Sequence, residues 1–243
     1  MTPTGAKYSY CFVVTYGRSG STLLQGVLNA IPGYVIRGEN GGILYKIHEL
    51  FALAEVVNKR FGRDAGPVTH PWYGVDRYPL QELLGDFGNL FINNILTPPP
   101  GTRCLGFKEI RYGQDVMENL YAHLDFMDAL FPRACFIFNS RNLEDTARSS
   151  WWKREPGAFA YLLEFERRMH EAFDRGNGNY FWVKFDDYVE NADNLRPLFE
   201  FLEEPFDREA VAATLRESHG LDRQTYRAGQ TPQAGSVGAE RDK

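Results

Sequence analysis

Short apolar runs rich in valine and aromatic residues alternate along the chain with longer segments whose apolar residues recur at helical spacing. The short runs predict buried strands at 10–15, 34–37, 104–108, 134–138 and 180–184. The helical spacing predicts helices at 21–30, 41–60, 80–96, 115–130, 142–153 with a continuation through 158–175, 193–202 and 207–217. This alternation predicts an α/β fold of three layers, in which helices cover both faces of a parallel sheet of about five strands.

The length and composition favour one domain. The chain has 243 residues, of which 43% are hydrophobic, and this is enough for one sizeable core. With no internal repeat or second boundary visible, the domain is predicted to span residues 1–227. Residues 228–243 consist mostly of small and polar residues, among them glycine, glutamine and serine, and they are predicted to form a disordered tail.

The charge, the apolar runs and the cysteines indicate which partners, which cellular location and which metal sites to expect. The net charge of −5 offers no general attraction for nucleic acid or acidic membranes, so any anion site must be local. No apolar run is long enough to span a membrane. The three cysteines lie in predicted strands, which favours reduced thiols in a cytoplasmic protein. Neither a CxxC nor an HExxH spacing occurs, so we expect no metal site.

A glycine-containing turn, Tyr16-Gly-Arg-Ser-Gly-Ser-Thr22, connects the first predicted strand to the first predicted helix. Gly17 and Gly20 permit a tight turn, and the amides of residues 19–22 would then point at one anion at the helix N-terminus. Further donors are the hydroxyl groups of Ser19, Ser21 and Thr22.

The turn differs from the loops that bind ATP or GTP. Those loops end in Gly-Lys-Ser/Thr, whereas this chain has Gly20-Ser21-Thr22, and the only cation in the turn is Arg18. The turn therefore fits a phosphate but lacks the lysine that contacts the β- and γ-phosphates. An ordinary strand-to-helix turn without a ligand is the alternative interpretation.

Charged residues also follow the other predicted strands. Glu39 follows the second strand, Lys108 the third and Arg141 the fourth, and Ser149 lies about two turns into the helix predicted after Arg141. Because ligands of such folds bind at the carboxyl ends of the strands, these residues are expected at one edge of the sheet. Arg141 and Ser149 together could bind a second phosphate.

These two stretches resemble the sulfotransferases that use 3′-phosphoadenosine-5′-phosphosulfate (PAPS). The loop at 16–22 is similar to their Pro-Lys/Arg-Ser-Gly-Thr-Thr motif, which holds the 5′-phosphosulfate, with Gly17 where the family often has proline. Arg141 and Ser149 match the spacing of their second motif, which holds the 3′-phosphate. The resemblance covers about residues 10–40 and 134–203, and it is closest to bacterial and tyrosylprotein sulfotransferases. It implies a P-loop NTPase-like fold, PAPS as donor, PAP as product and no metal.

The resemblance also implies roles for individual residues. Glu39 stands in a segment similar to the one that carries the glutamate base of tyrosylprotein sulfotransferases. Lys108 and Arg18 would stabilise charge during transfer, and Phe185 would line the adenine pocket. Glu109 is a rival base, and Glu39 could instead cap the following helix. Arg111 could hold an anionic acceptor.

The acceptor is expected to be a hydroxyl group of a small molecule or glycan. The aromatic loop at 61–78, with Trp72, Tyr73 and Tyr78, is a candidate lid over it. The family includes homodimers, so the resemblance allows one here. Two alternatives stay open: a small-molecule kinase with an atypical P-loop, and a non-catalytic nucleotide-binding module.

Overall fold

The computed structural model describes residues 5–221, and the side chains of 64, 114, 115 and 217–221 are outside that description. The predicted domain end at residue 227 and the predicted tail at 228–243 lie outside the described residues.

A five-stranded parallel sheet forms the centre of the fold. The strands, numbered β1 to β5 in chain order, are Tyr10–Val14, Tyr34–Arg37, Cys104–Glu109, Ala134–Ser140 and Tyr180–Lys184. Their order across the sheet is β2-β3-β1-β4-β5, and every neighbouring pair is parallel. The predicted parallel sheet is confirmed, and its five carboxyl ends share one edge, which we call the carboxyl edge.

Helices cover both faces of the sheet. Within residues 5–221 the α-helices, α1 to α9, are Ser21–Asn29, Ile43–Phe61, Leu80–Phe91, Leu120–Leu130, Leu143–Ala147, Ala158–Phe173, Phe185–Glu190, Arg196–Leu202 and Arg208–Leu221. Phe12 and Val14 of β1 pack in a core with α2, α3, α4 and α6, whereas Cys11 and Val13 pack in a second core with α1, α7, α8 and α9. Alternate residues of β1 therefore serve opposite cores, which gives the three predicted layers.

The predicted helix at 142–153 is wrong. Helix α5 ends at Ala147, Ser150 adopts a left-handed conformation with φ 50°, and a short 3-10 turn spans Trp152–Arg154. Ser149 thus lies beyond the helix rather than two turns inside it. The reason is a long-range contact, because the Trp152 indole N–H donates to the backbone oxygen of Gly17 over 2.8 Å. This bond fixes the chain in a bend that helical spacing does not reveal.

Two other predicted helices are shorter than expected. The helix predicted at 80–96 ends at Phe91 and continues as a wider π turn over Ile92–Leu96. The helix predicted at 115–130 begins only at Leu120, after short irregular turns. Both boundaries lie where buried apolar side chains continue beyond the regular helix, so periodicity alone extends the prediction too far.

The aromatic loop does not cover the carboxyl edge. The ring of Tyr45 in α2 contacts His123 of α4, and Phe51 further along α2 contacts Phe126 further along α4, so the two helices run in the same direction. Since α4 leads to the start of β4, α2 carries the chain away from the carboxyl edge, over about 28 Å for its length. The loop at 61–78 follows this far end, which rules out the predicted lid.

No helix within residues 5–221 is both long and apolar enough to cross a membrane.

Candidate functional site

The turn after β1, residues 17–22, is built to expose backbone amides. Gly20 precedes α1 with φ 79°, a left-handed conformation that glycine adopts without strain. No side chain caps this helix, and no described residue accepts a hydrogen bond from the amides of Gly20, Ser21 or Thr22. These amides and the positive end of the helix dipole can therefore bind an anion. We call residues 17–22 the first turn.

A buried polar network supports the first turn from below. Thr15 Oγ1 donates to the backbone oxygen of Asn139 (2.7 Å) and accepts from the hydroxyl of Ser19 (2.6 Å). Asn139 Nδ2 donates to the backbone oxygen of Ser19 (3.0 Å), and Asn139 Oδ1 accepts from the hydroxyl of Tyr188 (3.0 Å). Burial raises the pKa of Tyr188, so its hydroxyl remains a donor. The hydroxyl of Ser19 is thus engaged within the protein, and Ser19 can offer an external anion only its amide.

The second predicted phosphate motif contacts the first turn. Arg141 Nη1 donates to the backbone oxygen of Arg18 (3.1 Å), and Arg18 Nε donates to Ser149 Oγ (3.3 Å). The Arg141 guanidinium also lies over the ring of Phe185, 4.8 Å from its centroid. Arg141 Nε is buried and has no hydrogen-bond partner among the described residues. The structure therefore brings Arg18, Arg141, Ser149 and Phe185 into one cluster.

Aromatic rings set the shape of the first turn. A Cβ atom on Gly20 would lie 1.9 Å from Phe185 Cδ2, and one on Gly17 would lie 2.5 Å from Trp151 Cζ2. Both glycines therefore allow a ring to approach the backbone more closely than any other residue would permit. Trp152 is buried, and the half-buried Trp151 has the Arg18 guanidinium over its ring.

Glu39 and Lys108 meet at the same edge of the sheet. Lys108 Nζ lies 2.5 Å from Glu39 Oε1, and the side chain of Lys108 is only 7% exposed whereas that of Glu39 is 39% exposed. Lys108 is in register with Val13, so this ion pair lies at the ends of the strands beside the first turn. The buried ammonium group fixes the carboxylate, which remains accessible to a reactant from solvent.

Glu109 has a structural role. Its Oε2 accepts hydrogen bonds from the amides of Asn40 (3.1 Å) and Gly42 (3.2 Å), and its Oε1 accepts from those of Ile110 (2.8 Å) and Arg111 (3.1 Å). Glu109 is also only 3% exposed. The carboxylate thus joins residues 38–42, which we call the second turn, to the backbone that follows β3. With four hydrogen bonds accepted, it is less suited to proton transfer than Glu39.

Sequence reasoning missed three residues that hold the first turn: Thr15, Asn139 and Tyr188. Asn139 offered a signal, because it is a polar residue at the end of a strongly apolar run. The roles of Thr15 and Tyr188 depend on tertiary contacts that no local pattern reveals. In the part of the chain that the structure describes, no three His, Cys, Asp or Glu side chains are grouped so as to hold a metal ion.

Solved structures share this fold. The sulfotransferase domain from the Synechococcus PCC 7002 olefin synthase superimposes with a TM-score of 0.54 at 18% identity, covering 96% of this chain and 93% of that domain. The sulfotransferase domain from the curacin biosynthetic pathway gives a TM-score of 0.52 at 16% identity, covering 82% of this chain and 75% of that domain. At these identities the likeness shows the fold, which is the P-loop-like α/β fold expected from the sequence.

The comparison of sequences shows the family. A search of curated proteins finds no match. The model of the sulfotransferase family, however, matches residues 11–208, which include the first turn, the Glu39–Lys108 pair and the Arg141 cluster. This chain belongs to the sulfotransferase family and is a transferase.

Proposed function

We propose that this protein transfers a sulfuryl group from PAPS to a hydroxyl group of a small-molecule or glycan acceptor, with PAP as the second product. The observation that carries the proposal is the contact of two anion-binding motifs that are far apart in the chain. Arg18 of the first turn bonds to both Arg141 and Ser149. A nucleotide with phosphates at both its 5′ and 3′ positions needs two such sites side by side.

The residues of the cluster fit the two ends of this donor. The open amides of the first turn suit the 5′-phosphosulfate, and Arg141 with Ser149 suits the 3′-phosphate. Arg141 Nε, buried without a partner among the described residues, would gain an acceptor from that phosphate. The Arg141 guanidinium lies over the ring of Phe185, so this ring helps to position the arginine. Only the part of the ring that the arginine leaves exposed can contact adenine.

In the proposed mechanism, Glu39 is the general base. The donor supplies a sulfuryl group attached to a phosphate leaving group. The Glu39 carboxylate takes the proton of the acceptor hydroxyl as that oxygen forms a bond to sulfur, and the bond from sulfur to the bridging phosphate oxygen breaks with its electron pair left on the phosphate. Lys108 holds Glu39 in place through the 2.5 Å contact, and with Arg18 it provides positive charge near the transferred group.

A cytoplasmic location is part of the proposal. It is supported by Cys11, Cys104 and Cys135, which are buried as free thiols within the described chain.

Calorimetry with two nucleotides tests the donor assignment. We expect adenosine 3′,5′-bisphosphate to bind more tightly than ATP and without a requirement for Mg²⁺, because only the bisphosphate fills both anion sites. Tighter binding of ATP that depends on Mg²⁺ would instead support a small-molecule kinase. A labelled-donor assay against hydroxylated metabolites then tests transfer, and bisphosphate binding without transfer to any of them would favour a non-catalytic nucleotide-binding module.

A further inference from the structure

The two outer strands of the sheet, β2 and β5, differ in how their free edges are covered. At β2, the side-chain amide of Asn29 accepts from the backbone amide of Ile36 (2.7 Å) and donates to the backbone oxygen of Ile36 (3.0 Å). Gln25 Nε2 donates to the same oxygen over 2.9 Å, and the amide of Tyr34 donates to the backbone oxygen of Ile31. The outer edge of β2 is therefore closed to a further strand.

The outer edge of β5 is open. The amide of Phe136 in β4 donates to the backbone oxygen of Asn179, so alternate residues from Asn179 onwards direct their backbone groups to β4. The N–H and C=O groups of Tyr180 and Trp182 point away from the sheet, and no described residue bonds to them. A groove of about 480 Å³ runs along this strand. Unpaired edge groups of this kind are a template for pairing with another strand.

The side chains of β5 favour such pairing. Tyr180, Phe181 and Trp182 are only half-buried, and aromatic residues are enriched in strands that pair on both sides. Natural edges are usually protected by proline, by charges along the strand or by a bulge. Here the only charged residue of the strand is Lys184 at its carboxyl end, and it is exposed.

Opposite charges lie at the two ends of β5. Asp128 of α4 accepts from the side-chain amide of Asn179, which directly precedes the strand (2.9 Å). Burial, and then the charges of Asp125 and Asp128, raise the pKa of Tyr180, so both carboxylates lie close to the first residue of the strand. Tyr180 and Lys184 share one face of the sheet, because they are four residues apart. Within residues 5–221 neither carboxylate forms an ion pair, and nor does this lysine.

An antiparallel pair of two β5 strands, centred on Trp182, would satisfy the open backbone groups. In this register the outward groups of Trp182 face those of Trp182 in a second copy, and the outward groups of Tyr180 face those of Lys184. Phe181 lies opposite Val183, which is an aromatic and β-branched pair of the kind that stabilises sheets. The strand therefore complements itself.

The same register also matches the charges. Lys184 of each copy comes beside Tyr180 of the other, and hence beside Asp125 and Asp128 of the other, and the two-fold symmetry makes this contact twice. A parallel pair would instead place Lys184 beside Lys184 and the carboxylates beside each other, which is unfavourable.

We propose that β5 is the interface of a homodimer, in which two copies of this chain pair through antiparallel β5 strands and form one continuous sheet. The register is centred on Trp182, and Lys184 of each copy pairs with the carboxylates of Asp125 and Asp128 of the other. This inference is independent of the proposed sulfuryl transfer.

Sedimentation of the full chain, over about a hundredfold range of protein concentration, tests the interface. We expect a dimer that Lys184→Glu and Asp125→Lys each weaken by about tenfold or more, because each change places like charges opposite one another. The double variant should dimerise more tightly than either single variant, since it restores an opposite pair. Lys59→Glu, at an exposed lysine of α2, is the matched control and should dimerise like the unaltered protein.

Hydrogen exchange tests the strand pairing itself. The amides of Tyr180 and Trp182 should exchange slowly at concentrations where the dimer forms and rapidly on dilution, and Lys184→Glu should exchange rapidly at both. A monomer at all concentrations, or a dimer that neither charge variant weakens, would overturn the proposal. Losses that simply add in the double variant would overturn the register. Slow exchange of both amides in a monomer would show that another segment of the same chain covers β5, and it would also overturn the proposal.

Discussion

The first and second turns have the same backbone conformation at the helix start but differ in what their amides bind. Each follows a strand and leads into a helix, α1 or α2, through a left-handed glycine, Gly20 or Gly42, both with φ 79° and neither with a side-chain cap. In the second turn, the Glu109 carboxylate accepts from the amides of Asn40 and Gly42. In the first turn, no described residue takes the corresponding place.

This difference teaches what makes such a turn a site for an external anion. The glycine conformation alone is not sufficient, because the second turn has it and is already filled by an internal carboxylate. The first turn combines open amides with a buried network that fixes its shape from below. We infer that the first turn serves the donor, whereas the second turn carries Glu39 to the acceptor.

The largest effect, a loss of turnover, is expected for Glu39→Gln in the second turn. The amide oxygen of glutamine can still accept from Lys108, so the fold and the binding of bisphosphate should be retained. Turnover should fall by about a hundredfold or more, because glutamine cannot take the acceptor proton. Steady-state kinetics and calorimetry measure the two quantities, and Glu55→Gln, at an exposed acid of α2, is the control. An unchanged turnover would show that a residue other than Glu39 is the general base.

Alanine substitutions at left-handed glycines compare the two turns directly. Gly20 and Gly41 have φ 79° and 69°, so alanine at either should cost about 1 kcal/mol in backbone strain. Only at Gly20 would the new Cβ overlap a neighbour, the Phe185 ring at 1.9 Å, whereas at Gly41 nothing lies within 4 Å. We expect Gly20→Ala to weaken bisphosphate binding by about thirtyfold or more and Gly41→Ala by less than about threefold. Equal losses in calorimetry would contradict the assignment of the donor to the first turn.

Glu109→Gln should affect stability more than chemistry. The substitution removes the charge and leaves some of the four backbone amides without an acceptor, so the free energy of unfolding should fall by about 2–4 kcal/mol. Urea denaturation measures this fall, with Glu55→Gln again as the control. Turnover per folded molecule should remain well above that of Glu39→Gln. The reverse order of turnover would identify Glu109 as the base.

A smaller effect on the free energy of unfolding is expected when the pH is lowered, through protonation of His123 beside the second turn. Burial, assisted by His48, lowers its folded-state pKa from the ordinary value of 6.5 to about 3, so the unfolded chain binds the proton first as the pH falls. The stability due to neutral His123 is therefore complete above about pH 6.5 and is lost progressively between 6.5 and 3. Between pH 7 and 5.5 the loss should be roughly 1 kcal/mol in urea denaturation, and His123→Phe should reduce this dependence. An identical dependence in that variant would show that other groups cause it.

Much of the fold could be predicted because each strand appears as a short apolar run, whether it is buried throughout, like β4, or partly exposed at the edge of the sheet, like β2 and β5. β2 and β5 were predicted to the residue, and β1 to within one residue. The helix at 142–153 could not be predicted correctly, since Trp152 bends the chain by bonding to Gly17, a residue far away in sequence.

The candidate site, like the fold, could be predicted only where local sequence patterns determine it. Residues at strand ends, such as Glu39, Lys108 and Arg141, could be singled out because strand order places them at one edge. The engagement of Glu109 by four amides, and that of the Ser19 hydroxyl by Thr15, depend on how separate segments pack, so the sequence left their roles open.

The most direct test concerns the two anion sites and the single nucleotide proposed to join them. Calorimetry should compare Arg141→Ala with the unaltered protein, using adenosine 3′,5′-bisphosphate and adenosine 5′-monophosphate. Arg148→Ala, at an exposed arginine paired with Glu144, is the control. We expect Arg141→Ala to weaken bisphosphate binding by about tenfold or more and monophosphate binding by less than about threefold, because only the bisphosphate carries the 3′-phosphate. Equal losses for the two nucleotides would contradict the assignment of Arg141 to that phosphate.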